Sequence, residues 1–212
     1  MSELFEFDNA FNANVIGTDE AGRGPGAGDV FAAAVFFPAS VDKHLFKNLN
    51  DSKKLTAKKR EELYAIIKEI AVYSIISSSV EEINSLNILR ASLLAMKRAC
   101  EEVVSKIGTE KIKILVDGNK LIKDFHCPQQ CVIKGDAKSA SIAAASILAK
   151  VERDRYMLEL AQKYPMYDWE NNKGYLTPKH IDGIKKYGLT PYHRKKFVEN
   201  IVLPSEQLAF FT

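Results

Sequence analysis

The sequence predicts an α/β fold in which one mixed β-sheet is flanked by helices and followed by a small helical C-terminal region. Two observations predict it. Five short segments rich in β-branched and aromatic residues alternate with three long segments whose apolar residues recur at helical spacing. Their alternation along the chain is typical of a single mixed sheet with helices on its faces.

The first two predicted strands are Val15–Asp19 and Val30–Phe37, joined by a glycine-rich turn over Ala21–Gly28. Thr56 is a suitable N-cap for a helix through Ala71. Within this segment, apolar residues recur at i, i+3, i+4 and i+7, which is the spacing of one helical face. A third strand is predicted over Tyr73–Val80.

A second helix is predicted over Leu86–Ile107, ended by Gly108. Two further strands follow, at Ile112–Asp117 and Cys131–Lys134. Ser139 or Ser141 begins a third helix that reaches about Lys163, and its run of small residues predicts close packing on the sheet. The remainder is predicted to form short helices and turns, Pro178–Tyr187 among them.

Composition excludes several classes of protein. The chain has 212 residues, with 46% hydrophobic and 27% charged residues, which is typical of a folded globular protein and not of a disordered one. Its longest apolar run, Val30–Pro38, is far shorter than the about 18 residues of a membrane span. The acidic N-terminal residues do not resemble a signal peptide, and the three cysteines form no CxxC pair. We therefore expect a cytoplasmic protein with reduced thiols and no membrane association.

Acidic residues follow the predicted strands at the points where they end. Asp19 and Glu20 follow the first strand, Asp117 follows the fourth, and Asp136 follows the fifth. Side chains at such positions lie at the mouth of an α/β sheet, where ligands bind. Carboxylates gathered there repel one another unless a cation lies between them, and hard oxygen ligands suit Mg²⁺ or Mn²⁺. Taken singly, each has a structural alternative: Asp117-Gly118 suits a turn and Asp136 suits a helix N-cap.

Charge is unevenly distributed. Residues 47–60 contain six Lys or Arg against one Asp, and residues 173–196 contain seven against one. Such clusters suit contact with a polyanion, although solvated helix faces would give the same pattern. The glycine spacing after Gly22 is not that of a dinucleotide-binding loop, no Walker motif is present, and the four histidines lack metal-ligand spacing. The combination favours metal-assisted phosphoryl chemistry.

With these segments in view, the chain resembles type 2 ribonuclease H, the bacterial ribonuclease HII family. The resemblance runs from about Gly17 to Phe197 and rests on motifs in the same order: Gly17–Gly24, Asp51–Leu55, Leu115–Asn119, Lys134–Ser139, Ala143–Lys150, Arg153-Asp154, Gly174-Tyr175 and His193-Arg194. It implies a ribonuclease H-like fold and metal-dependent cleavage of RNA in RNA–DNA hybrids. It also implies incision 5′ to single ribonucleotides in duplex DNA, with 5′-phosphate and 3′-hydroxyl products.

The resemblance implies roles for individual residues. Asp19, Glu20, Asp117 and Asp136 match the catalytic carboxylates, which hold divalent ions. Gly22, Arg23 and Gly24 match a loop whose backbone approaches the ribonucleotide, and Tyr175 matches a tyrosine that packs against the next sugar. Lys53, Ser146 and Lys150 match phosphate contacts, which make binding salt-sensitive.

The expected organisation is a lead-in over residues 1–14, a ribonuclease H-like core over 15–164, a C-terminal helical region over 165–200 that completes the substrate site, and a tail over 201–212. Gln207–Phe211 resembles the short peptide that docks on replication sliding clamps, although a tail that folds back to bury its phenylalanines is the alternative. A monomer is expected.

Three other functions were compared with this one. A junction resolvase would not need the Gly-Arg-Gly and Gly-Tyr motifs. Ribonuclease HIII has an extra N-terminal domain, whereas only about 14 residues precede the first predicted strand here. A nucleic-acid-binding protein without activity would gain nothing from carboxylates that face phosphates.

Overall fold

The structure is a computed structural model that describes residues 3–46, 49 and 55–201. A five-stranded sheet with strand order β3-β2-β1-β4-β5 forms its centre. The strands are β1 (Asn14–Ala21), β2 (Val30–Phe36), β3 (Val72–Ser78), β4 (Ile112–Asp117) and β5 (Gln129–Val132). The hairpin β1–β2 and its neighbour β3 are antiparallel, whereas β4 and β5 run parallel to β1. The predicted mixed sheet is confirmed.

Eight α-helices surround this sheet within the described ranges. They are α1 (Glu3–Asn9), α2 (Ala57–Ile70), α3 (Val80–Leu86), α4 (Ile88–Ile107), α5 (Ala140–Lys163), α6 (Trp169–Asn172), α7 (Pro178–Tyr187) and α8 (Lys195–Val198). Short 3-10 turns occupy Lys43–Phe46, Gly135–Ala137 and Pro165–Tyr167. No helix among the described residues is both long and apolar enough to cross a membrane.

Helices cover both faces of the sheet. Ala33 and Val35 of β2 face the alanine-rich stretch of α5, whereas Ala32 and Ala34 face α4. This alternation is the period-two pattern of a strand that is buried on both sides. The approach of α5 is very close at Gly17, where a Cβ atom would lie 2.2 Å from the backbone nitrogen of Ile142. The predicted close packing of the third long helix on the sheet is therefore confirmed.

Three predicted elements differ from the structure. The helix predicted over 86–107 begins two residues later, at Ile88, because Asn87 adopts a φ of +73° and its side chain accepts from the backbone N–H of Arg90, and the separate helix α3 ends before it. The fifth strand lies two residues earlier than predicted, since Lys134 takes a left-handed conformation that turns the chain. The N-terminal lead-in contains α1, whose Asp8 accepts a hydrogen bond from the backbone N–H of Ser141 at the start of α5 (2.9 Å).

The C-terminal helices form a separate layer around a cluster of aromatic rings. Tyr167 and Trp169 stack with ring centroids 5.0 Å apart, and the rings of His180 and His193 pack against both. This layer is joined to the core by a β-bridge between His193 and Ala27, which lies in the glycine-rich loop after β1. The small helical C-terminal region is as predicted.

Candidate active site

The four predicted carboxylates lie at one edge of the sheet. Strands β1 and β4 are parallel and pair Thr18 with Val116, so the next residues, Asp19 and Asp117, are at the same level. The backbone N–H of Gly135 donates a 2.7 Å hydrogen bond to Asp117 Oδ1. This bond holds the 3-10 turn that carries Asp136 against the end of β4.

Electrostatics show that the carboxylates act on one another. The pKa of Asp19 is raised well above its usual range, first because the side chain is buried and then because Glu20, Asp117 and Asp136 add negative charge around it. The backbone N–H of Glu20 donates to Asp19 Oδ1 (2.7 Å), which offsets part of this effect. The fold therefore concentrates negative charge at this edge of the sheet.

These oxygen ligands have the chemistry that suits Mg²⁺ or Mn²⁺, and a divalent ion would relieve their repulsion. As they stand, no three His, Cys, Asp or Glu side chains of the described residues are arranged closely enough to hold an ion. One reason is visible at Glu20, whose Oε1 pairs with the guanidinium of Arg23 at 3.3 Å. The donor set fits a metal, and Glu20 pairs with Arg23 through one carboxylate oxygen, Oε1.

The glycine-rich loop lies beside the carboxylates and contacts the C-terminal layer. Gly22 has a φ of +99°, and a Cβ atom there would lie 1.9 Å from Arg153 Nε. At Gly24, a Cβ atom would lie 3.2 Å from the ring of Tyr175. Because Tyr175 is 51% exposed, its ring lies on the surface against Gly24, so two candidate substrate elements that are far apart in sequence are in contact.

Two buried arginines hold this loop. Arg194 is fully buried and donates to five backbone carbonyls, those of Gly22, Arg23, Pro25, Gly28 and Asp29. Arg153 donates to the carbonyls of Ala27, Asp29 and Lys173. Burial lowers the pKa of Arg194 to about 9, which still leaves it charged at neutral pH.

The sequence alone does not indicate that these arginines belong to the site. The motifs contained Arg153 and Arg194, but nothing in their spacing distinguishes a buried arginine from one on a solvated face.

The remaining predicted site residues are distributed as follows. Ser146 lies on α5 with only 4% of its surface exposed. Lys150, one turn later, is paired with Asp154 at 2.6 Å. Lys53 and the other residues of its motif up to Lys54 lie outside the described residues, as does Gln207–Phe211. Phosphate contact by Lys53, Ser146 and Lys150 stays a prediction.

Comparison with known proteins confirms the resemblance to the ribonuclease HII family. A family model described as Ribonuclease HII matches residues 16–200. A ribonuclease HII from Fusobacterium nucleatum is 50% identical over 205 residues, which cover 96% of this chain and 94% of that protein.

Two solved structures share the fold. The ribonuclease H2 of Pyrococcus horikoshii OT3 superposes with a TM-score of 0.70 at 29% identity, covering 88% of this chain and 96% of that one. A ribonuclease HII from Archaeoglobus fulgidus, solved as a complex with PCNA, gives 0.69 at 26% identity, covering 86% and 94%. The chain belongs to the ribonuclease HII family and is a ribonuclease H, an endonuclease that hydrolyses phosphodiester bonds.

Proposed function

We propose that this ribonuclease H cleaves the RNA strand of RNA–DNA hybrids and also incises 5′ to single ribonucleotides embedded in duplex DNA, leaving 5′-phosphate and 3′-hydroxyl ends. The observation that carries the second activity is the contact between Gly24 and Tyr175 beside the four carboxylates. A surface formed by a glycine backbone and an exposed ring suits a single sugar, whereas the carboxylates suit the adjoining phosphate.

Backbone direction supports recognition of the 2′-hydroxyl. The carbonyls of Gly22 and Arg23 point at the buried guanidinium of Arg194. In a trans peptide the N–H points opposite to the carbonyl, and the described chain has no cis peptide bonds. The N–H groups of Arg23 and Gly24 are therefore directed away from Arg194, toward the surface where a ribose would lie. The 2′-hydroxyl is the group that distinguishes RNA from DNA at such a position.

The carboxylates Asp19, Glu20, Asp117 and Asp136 are proposed to hold Mg²⁺ or Mn²⁺. When bound, such ions activate a water molecule and stabilise the charge on the leaving 3′ oxygen. The chain orients these ligands by backbone hydrogen bonds to Asp19 and Asp117. Tyr175 packs on the sugar that follows the ribonucleotide, and Lys53, Ser146 and Lys150 contact phosphates, so that binding weakens as salt increases.

The test compares three labelled duplexes with Mg²⁺ or Mn²⁺: all-DNA, DNA with one embedded ribonucleotide, and an RNA–DNA hybrid. Cleavage 5′ to the lone ribonucleotide with all-DNA intact is the expected result. Cleavage of the hybrid alone would remove the single-ribonucleotide activity and the roles given to Gly22–Gly24 and Tyr175.

Variants test the metal ligands in the same assay. Asp19→Asn and Asp136→Asn are expected to abolish turnover while the duplex still binds, because a neutral amide is a poor ligand for a hard divalent ion. Turnover retained in both variants would contradict the assignment of the carboxylates.

A sliding-clamp partner is proposed for the tail. The Archaeoglobus relative was solved with PCNA, and Gln207–Phe211 resembles a clamp-docking peptide. Deletion of residues 207–212 should abolish capture by a purified clamp and leave cleavage of a short duplex unchanged, whereas unchanged capture would contradict this proposal. The enzyme is otherwise proposed to act as a monomer in the cytoplasm.

A further inference from the structure

Behind Tyr175 lies a pair of buried histidines that the proposed mechanism does not use. His180, on the first turn of α7, is fully buried, and His193 is 3% exposed. Their Nε2 atoms are 3.1 Å apart. His180 Nδ1 is 3.0 Å from the backbone carbonyl of Tyr175, so the pair reaches the main chain of a proposed substrate residue.

The direction of hydrogen bonding through this pair is determined by the groups at its ends. The backbone N–H of Thr190 can only donate, and it donates to His193 Nδ1 (2.9 Å). The proton of His193 therefore lies on Nε2 and points at His180 Nε2. The indole N–H of Trp169, which also can only donate, reaches the same His180 atom at 3.0 Å.

His180 must then carry its own proton on Nδ1, where its acceptor is the Tyr175 carbonyl. The bonds run in one direction, from Thr190 through His193 and His180 to Tyr175. Burial, and the closeness of the two rings, lower the pKa of His193 to about 3, and burial lowers that of His180 as well. Both shifts favour the neutral form of the rings, as this pattern requires.

Three backbone hydrogen bonds also hold the main chain at Tyr175 and Gly174. Its backbone N–H donates to the Asn172 carbonyl, and the backbone N–H of Thr177 donates to its own carbonyl. The preceding Gly174 carbonyl accepts from the N–H of Gly26 in the glycine-rich loop. The position of the Tyr175 main chain consequently sets where its half-exposed ring meets Gly24.

We infer that His180 is a positioning residue for ribonucleotide recognition: by donating from Nδ1 to the Tyr175 carbonyl, it fixes the ring of Tyr175 against Gly24. The inference rests on the proposed role of Tyr175 at the sugar. His193 and Trp169 act one step further back, by holding His180 in the tautomer that can donate.

Two substitutions of His180 separate the two ends of its ring. In His180→Asn the amide nitrogen occupies the place of Nδ1, so the donor to Tyr175 is kept and the acceptor for Trp169 and His193 is lost. In His180→Gln the amide oxygen reaches the place of Nε2, so the acceptor is kept and the donor to Tyr175 is lost. Each variant loses ring volume, and thermal unfolding shows the temperature range in which each is folded.

The assay measures kcat and KM for cleavage of the duplex that contains one ribonucleotide. His180→Gln is expected to lower kcat by about three- to tenfold with little change in KM, the range of one lost buried hydrogen bond. His180→Asn is expected to lower kcat by a smaller factor. An Asn variant as impaired as the Gln variant would overturn the inference.

A double-mutant cycle with Tyr175→Ala distinguishes positioning from general destabilisation. If His180 acts through the tyrosine, His180→Gln has no further effect once Tyr175 is alanine, whereas independent effects multiply. Multiplied effects overturn the role of His180 and leave the proposed function intact. If Tyr175→Ala alone leaves kcat/KM unchanged, the proposed role of Tyr175 fails and the inference fails with it.

The wild-type enzyme supplies a measurement that does not depend on variant folding. Long-range ¹⁵N–¹H NMR correlation of histidine-labelled enzyme reports which ring nitrogen carries the proton. The expected result is Nδ1–H for His180 and Nε2–H for His193. An Nε2–H tautomer at His180 would overturn the inference directly, because Nδ1 could not then donate to Tyr175.

Discussion

Replacement of Arg194 by glutamine tests the idea that a buried guanidinium shapes the glycine-rich loop. Arg194 supplies hydrogen bonds to five carbonyls, and a glutamine amide can supply two at most. At least two of these carbonyls then lose their donor, since that of Asp29 keeps its bond from Arg153, at about 1–3 kcal/mol each. We expect a loss of about 3–5 kcal/mol in the free energy of unfolding, the range for breaking a buried charged network.

The measurement is urea and thermal unfolding of Arg194→Gln beside Arg155→Gln. Arg155 is the matched control, because it carries the same side chain on the surface of α5, where it pairs with Glu61 at 2.6 Å and is 45% exposed. That ion pair should contribute less than about 1 kcal/mol to the free energy of unfolding. For a chain of this length, the loss at Arg194 corresponds to a Tm lower by roughly 10 °C.

The loop itself gives the second readout. Without Arg194, backbone amides of residues 22–29 should exchange hydrogen faster, and cleavage beside a single ribonucleotide should fall at temperatures where the variant is folded. If Arg194→Gln changes the free energy of unfolding by no more than Arg155→Gln does, the carbonyl contacts do not hold the loop and the reasoning is refuted.

Three further predictions concern the charge cluster, the histidine pair and the helix–sheet contact. Because the folded-state pKa of Asp19 is raised, ionisation of this side chain destabilises the folded state as pH rises. Asp19→Asn should therefore raise the Tm of the metal-free enzyme at pH 7.5, and this gain should disappear toward pH 3. An unchanged Tm at pH 7.5 would contradict the prediction. The pKa of His193 is lowered to about 3 in the folded protein, so below pH 6.5 the unfolded chain binds a proton at this residue that the folded chain does not. The free energy of unfolding, measured in urea, should fall by up to about 2 kcal/mol between pH 7.5 and 5. The fall should be smaller in His193→Asn. Gly17→Ala would place a Cβ atom 2.2 Å from a backbone nitrogen of α5 and should cost more than about 3 kcal/mol of unfolding free energy. Gly108→Ala meets no atom within 4 Å and should cost about 1–3 kcal/mol, because the backbone conformation of Gly108, with φ +83° and ψ 178°, disfavours a side chain; a loss at Gly17 no larger than that at Gly108 would show that the close contact is unimportant.

Most of the core elements could be predicted because their signals are local. Thr56 caps α2 and Ser139 caps α5, each by accepting from a backbone N–H three residues later, as the sequence suggests. Helix α3 was not predicted, although Ser79 and Glu82 form a capping box at its start, because the preceding residues were assigned to a strand through Val80. Helix α1 was missed because only its contact with the start of α5 reveals that Phe5 and Asp8 are buried.

The sequence by itself determined that the acidic residues lie at the end of the sheet, since an aspartate that follows a buried strand is placed there by the strand itself. It also determined the family, because motifs keep their order along the chain. Only the tertiary structure decided that Arg194 is buried beneath carbonyls as much as 172 residues away in sequence, and that Tyr175 rests on Gly24. These contacts depend on how the C-terminal layer packs on the core. The residues that neighbour each side chain in sequence do not indicate that packing.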